Sequence, residues 1–149
     1  MFEIELKNPD EISIRLRERM ININVAQSTI EAGLAVGVIK GAGEFEIGEA
    51  TVRGAVTAGG SVMYRIEIGG VTIGVVGGEV KLEDLDELGP IDILGTSVAT
   101  AVRAVEPKIV ILMGQMDFSE LKASVKLEKK LKIKNASALP AVMEVYKLD

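Results

Sequence analysis

The segment Gly95-Thr96-Ser97-Val98-Ala99 comes nearest in this sequence to a nucleophile site. It follows the pattern G-x-S-x-G with alanine last, the turn that lifts a serine hydroxyl out of a strand-to-helix junction. A serine there needs a general base, and the usual base is imidazole. The chain contains no His and no Cys. That removes Ser-His-Asp and Cys-His chemistry and every ordinary zinc site built on nitrogen or sulfur. Carboxylates, lysine, arginine, tyrosine and hydroxyls remain for acid–base work. The structural reading is that Thr96 or Ser97 caps the following helix through its hydroxyl, where such residues are favoured in any case. The pair is thus a candidate helix-cap or anion site.

Three other clusters carry chemistry-bearing groups. Gly77-Gly78 follows a strand pattern, and exposed amides in such loops can bind phosphate. No G-x-x-x-x-G-K-[ST] pattern accompanies them, and the acids that follow would repel an anion, so a turn is the expected reading. Glu79, Glu83, Asp84, Asp86 and Glu87 are oxygen donors of the kind that hold Mg²⁺ or Ca²⁺, yet they lack EF-hand spacing. They read as the solvated face of a helix whose dipole favours acids at its start. Lys122, Lys126, Lys129, Lys130, Lys132 and Lys134 could meet an acidic partner, but read as a soluble helix face and a strand edge guarded by lysines.

The elements that position these groups centre on residues 62–113. Val62, Tyr64, Ile66 and Ile68 alternate with Met63, Arg65 and Glu67, the period of a strand buried on one face. Gly69-Gly70 turns the chain into a return strand over 71–76. A short acidic helix, an apolar strand at 91–94, a helix marked by Val98, Ala101, Val102 and Val105, and a strand over 109–113 follow. Before this stretch, alternation predicts strands around Phe2–Leu6, Ile12–Leu16 and Ile21–Val25, with Asn8-Pro9-Asp10 as a turn. Residues 27–33 read as a helical turn or a loop, and 34–40, 41–48 and 50–57 as strands. Residues 117–130 read as a charged helix with Phe118, Leu121 and Val125 on one side and Asp117 at its N-cap. Strands over 131–134 and 142–148 close the chain.

At 149 residues with 48% apolar and 26% charged residues, the chain reads as one domain, 1–149. The scarcity of aromatics, 3%, leaves a core of Val, Ile, Leu, Ala and Met, which favours strands. A net charge of −5 argues against nucleic-acid binding. No disulfide, no apolar run of roughly 18 residues and no signal-peptide start predict a cytoplasmic protein with no membrane partner.

Gly41-Ala42-Gly43-Glu44-Phe45-Glu46-Ile47 resembles the Gly-Pro-Gly-Glu-Tyr-Glu-Val segment of metallo-β-lactamase-fold hydrolases, in the branch of Zn-dependent hydrolases. The likeness continues in order through Tyr64 to Ile73, Leu82 to Leu94 with Leu88-Gly89-Pro90-Ile91-Asp92, and Val102 to Met113 with Glu106-Pro107-Lys108-Ile109. It implies an α+β fold: a β-rich two-sheet sandwich with few helices, a reduced version of the αββα arrangement. Residues 1–40 would be shortened N-terminal strands and 41–149 the metallo-β-lactamase-like part. The family's zinc ligands sit in an H-x-H-x-D-H loop, a later His, a bridging Asp and a final His. The nearest place for the loop is around Asn24 to Thr29, which carries none of them. Gly77-Gly78 stands where Gly-Asp is expected, and Gly114 where the final His is expected.

The resemblance therefore implies an emptied cleft at Gly77, Gly78 and Gly114, with no metal, no other cofactor and no catalytic residue carried over. The expectation is a non-catalytic binding or assembly module. The alternatives are a hydrolase using carboxylates such as Glu44 or Asp117, or a small-molecule or anion binder in the emptied cleft. Shortened early strands with one apolar side each predict a homodimer that covers them.

Overall fold

Period-two alternation dominates the first third of the chain, and it becomes a sheet of antiparallel strands with one face buried. The computed structural model describes residues 1–32, 38–78, 80–114, 118–121 and 123–149. Strands β1 (Phe2–Asn8), β2 (Glu11–Leu16), β3 (Arg19–Asn24), β4 (Thr29–Ala32) and β5 (Val38–Lys40) follow one another, and β13 (Leu131–Ile133) pairs with β1, giving the order β13-β1-β2-β3-β4-β5. Residues 25–28 form turns and the chain is extended again from Thr29, so the helical turn or loop expected over 27–33 is in part a strand. Ile30 is fully buried and pairs with Ile23, which draws the segment into the sheet. Of the strand expected over 34–40, residues 34–37 lie outside the described residues.

The second sheet has eight strands in the order β12-β14-β11-β10-β9-β8-β7-β6. Strands β6 (Gly43–Ile47), β7 (Ala50–Val56), β8 (Val62–Ile68) and β9 (Val71–Val76) form an antiparallel meander. From β9 onward, β10 (Ile93–Thr96), β11 (Ile109–Leu112), β14 (Glu144–Leu148) and β12 (Val125–Glu128) run parallel. Parallel neighbours need crossovers. Two of these are helices, α1 (Leu82–Leu88) and α2 (Ala99–Val105), the only α-helices among the described residues. Gly89-Pro90 ends the first, and Glu106-Pro107, with Glu106 left-handed at φ 52°, ends the second.

The core lies in two layers. The inner faces of both sheets share one cluster that includes Ile4, Ile14, Ile23, Val52, Ile66, Ile73 and Ile111. A second cluster, with Met63, Leu85, Leu88, Leu94, Val102 and Val110, packs the helices on the outer face of the eight-stranded sheet. The apolar sides of β1, β2 and β3 face the first cluster, and Phe2, Ile4, Ile12, Ile14, Ile21 and Ile23 are all buried within the chain. The expectation that these sides lack cover, and so form a dimer face, does not hold: the opposite sheet covers them.

The helix expected over 117–130 does not form among its described residues. Phe118–Leu121 is one 3₁₀ turn and Val125–Glu128 is β12. Pairing of Val125 with Val145 and Lys126 with Tyr146 along β14 overrides the helical spacing. Asp117, the expected N-cap, lies outside the described residues. Lys122 lies outside the described residues, and the rest of the lysine-rich segment is a sheet margin. Lys129 and Lys130 carry the chain from β12, at the end of one sheet, to β13, at the end of the other. Gly41-Ala42 makes the same passage from β5 to β6 on the far side. No helix among the described residues is long and apolar enough to cross a membrane.

Tyr64 is buried between the sheets, and its hydroxyl has no hydrogen-bond partner among the described residues. Burial pushes its phenol up to about 12. The unfolded chain ionises near 10, so the folded state holds the proton more tightly. The stability from the neutral phenol is present below pH ~10 and is lost as pH rises toward ~12, at about 1.4 kcal/mol per pH unit. Tyr64→Phe is expected to raise stability at neutral pH by roughly 1 kcal/mol, because it removes a desolvated hydroxyl without opening a cavity. It should also flatten the loss between pH ~10 and ~12. Urea midpoints across that range check both effects, and a lower midpoint at neutral pH would show that the hydroxyl is bonded.

Candidate functional site

Ligands of open sheets with parallel strands gather beyond the carboxyl ends of those strands. Here those ends are Gly77-Gly78 after β9, Ser97 after β10 and Met113-Gly114 after β11. The turns of the smaller sheet reach the same rim. Gly114 N–H donates to the Pro9 carbonyl at 2.9 Å, and Val25 N–H donates to the Asp10 carbonyl at 2.9 Å. Ser28 Oγ accepts the Val62 N–H at 3.1 Å, which ties the β3–β4 turn to the start of β8.

The three glycines of the expected cleft meet different surroundings. A Cβ on Gly77 would lie 2.9 Å from Cγ2 of Val25, so the smaller sheet already fills the space where a side chain at 77 would project. Gly114 has φ +58°, and a Cβ there would lie 3.2 Å from the Ser97 Cβ. Its backbone is left-handed, a conformation other residues adopt only with strain. Gly78 opens on a depression of about 560 Å³ lined by Ala58, Gly59, Val80, Lys81 and Val98. Gly114 lines a separate depression whose other residues include Lys7, Asn8, Pro9, Leu112, Lys147 and Asp149. The Gly78 depression has one charged side chain, Lys81, and no convergent set of polar groups of the kind a ligand site uses.

Thr96 and Ser97 are divided by the structure. Thr96 is the last residue of β10 and fully buried; its Oγ1 accepts the N–H of Val98 at 3.0 Å. Val98 is the N-cap of α2 and its side chain makes no capping bond. The expected hydroxyl cap therefore does not form: Thr96 closes the turn before the helix, and Ser97 packs beside Gly114. With seven residues, α2 is too short to build up much dipole for an anion.

Glu44, the carboxylate of the alternative hydrolase reading, sits on β6 opposite Arg53, in a depression with Thr51, Arg65 and Glu67. The arginines there are structural. Arg53 Nη2 donates to the Glu87 carbonyl at 2.8 Å, and Arg65 Nη1 to the Leu88 and Pro90 carbonyls at 2.8 and 2.5 Å. They satisfy carbonyls at the C-terminal end of α1, where cations are favoured.

Asp84, expected among the solvated acids, is buried. Its carboxylate accepts the Lys81 N–H at 2.8 Å and the Ala58 N–H at 3.2 Å to each oxygen, joining the start of α1 to the β7–β8 turn. The sequence signal was its place as third residue of a helix, from which a carboxylate reaches back to the N-cap amide. Glu83, Asp86 and Glu87 are exposed as expected, and Glu79 lies outside the described residues. Among the described residues, no three acids cluster as a metal would require.

Neither a protein-family model nor a curated protein matches the sequence. Solved structures do match. One is a crystal structure from Thermotoga maritima, of a protein assigned as a Zn-dependent hydrolase of the metallo-β-lactamase superfamily. It is 14% identical, with a TM-score of 0.71, over 99% of this chain and 98% of that one. The two-sheet architecture described above is thus a metallo-β-lactamase-like fold.

Proposed function

We propose that this metallo-β-lactamase-like fold serves as a non-catalytic binding or assembly module. One observation carries the reading. At the rim where the parallel strands end, the positions that would present donors are glycines set against Val25 and Ser97, and the whole chain has no His or Cys. Hydrolytic zinc sites are built on nitrogen and sulfur donors supplemented by carboxylate. The residues present do not fit such an ion.

Protein purified without chelator and dialysed is expected to carry no stoichiometric zinc by elemental analysis. Lactones, β-lactams and phosphodiesters should turn over at the buffer rate, since no residue described at the rim replaces a metal-activated water. Stoichiometric metal that survives dialysis would overturn the reading. So would turnover above buffer that disappears in Glu44→Gln or Asp117→Asn.

A further inference from the structure

Strand β12 has β14 on one side and, among the described residues, no strand on the other. The Glu128 carbonyl accepts the Asp149 N–H at 2.8 Å, on the β14 side. Main-chain groups alternate in direction along a strand, so those of Glu128 and Lys126 turn toward β14 and those of Val125 and Leu127 turn outward. Leu127 is 72% exposed at the middle of this open edge. Exposed edges are commonly blunted by charge, proline or a covering loop, and a large apolar residue there is an invitation to pairing. Lys126 and Glu128 flank it with opposite charges.

The geometry points to a homodimer in which β12 pairs antiparallel with β12 of a second copy, about a two-fold axis at Leu127. This deepens the assembly reading and rests on it. In this register Leu127 faces the partner's Leu127, and their outward N–H and C=O groups exchange the two bonds of a close pair. Lys126 comes opposite the partner's Glu128, and symmetry repeats that ion pair. Val125, whose main-chain groups also turn outward, comes opposite the partner's Lys129. Charge selects the register. An axis at Lys126 would set it against the partner's Lys126, and an axis at Glu128 would set two carboxylates together. An axis between residues would oppose outward with inward main-chain groups and form no ladder. Lys126 already contacts Glu144 and lies 5.7 Å over the Tyr146 ring, which holds its ammonium on one face of the sheet. The interface is isologous and closes at two copies.

The test is light scattering behind size exclusion across dilution. The expected mass is twice the 15.9 kDa chain. Leu127→Pro removes an N–H that points out of the chain, so it should leave the circular dichroism and thermal midpoint in place and yield the single-chain mass. Glu128→Lys sets lysine opposite the partner's Lys126 and should raise the dissociation constant by at least roughly tenfold. Lys126→Glu should do the same. Mixing the two variants should restore a dimer of one copy of each, because both ion pairs re-form, one as in the parent and one with its signs exchanged. A single-chain mass for the unaltered protein at every dilution would overturn this interface. So would a dimer that Leu127→Pro and Glu128→Lys leave unchanged. Either failure, with the protein metal-free and inactive, would leave the non-catalytic reading standing. A dimer that binds zinc or hydrolyses substrate would leave the interface standing and sink that reading.

Discussion

Ile14→Lys is expected to unfold the chain. Ile14 lies in the middle of β2, opposite Ile4 on β1 and Ile21 on β3, and is fully buried in the cluster between the sheets. Loss of the packed isoleucine alone is worth roughly 2–5 kcal/mol. The lysine adds an ammonium with no acceptor in an apolar layer, a further cost of several kcal/mol. Together these rival the whole stability of a domain this size, roughly 5–15 kcal/mol. The expected readout is loss of the cooperative thermal transition. Arg15→Ala, one residue along on the exposed face, should stay within about 0.5 kcal/mol of the parent. The pair also separates two accounts of the early strands. If their apolar sides formed a subunit interface, Ile14→Lys would give a folded single chain.

Asp84→Ala should be the most damaging change to a charged residue described here. The carboxylate is the acceptor for both the Lys81 and the Ala58 amides. Hydrogen bonds to a charged group contribute about 1.5–3 kcal/mol each, and each buried amide left without an acceptor adds a desolvation penalty. A net loss of about 3 kcal/mol is expected. For a chain of this length that is a fall in Tm of roughly 6–12 °C. Asp84→Asn keeps one acceptor oxygen and should lose about half as much. Asp86→Asn, two positions on and exposed, should change little. If Asp84→Ala and Asp86→Asn melt together, the β7–β8 turn does not depend on this carboxylate.

Local pattern made most strands legible because a strand's signal is carried by the strand itself. Phe2-Glu3-Ile4-Glu5 and Val62 to Ile68 alternate at the period of a strand, although Met63, on the side read as exposed, is buried under the helices. The strand, acidic helix, strand, helix, strand run from Val71 to Leu112 was legible element by element, while the parallel pairing of its strands was seen only in the structure. Residues 118–130 failed the same test. Phe118, Leu121 and Val125 stand at helical spacing, yet β14 offers Val125 and Lys126 a ladder, and ladder bonds outweigh a weak local preference. The helix cap failed for a related reason: Thr96 has the right chemistry two residues too early, because β10 extends through it and buries it.

By itself, the sequence determined which chemistries are closed to this protein. A chain without imidazole or thiol cannot build the nitrogen- and sulfur-donor metal sites or the His-based nucleophile sites whatever its fold, because side-chain inventory precedes geometry. It also determined the strand-rich character, through alternation that each segment carries within a few residues. Only the tertiary structure decided what lies across from what. It placed Val25 against Gly77, Asp84 under the β7–β8 turn, the early apolar faces against the larger sheet, and Leu127 on an open edge. Those are contacts between residues tens of positions apart, or an edge with no partner strand among the described residues. No local pattern encodes them, because they depend on sheet order, which is settled only when the whole chain has packed.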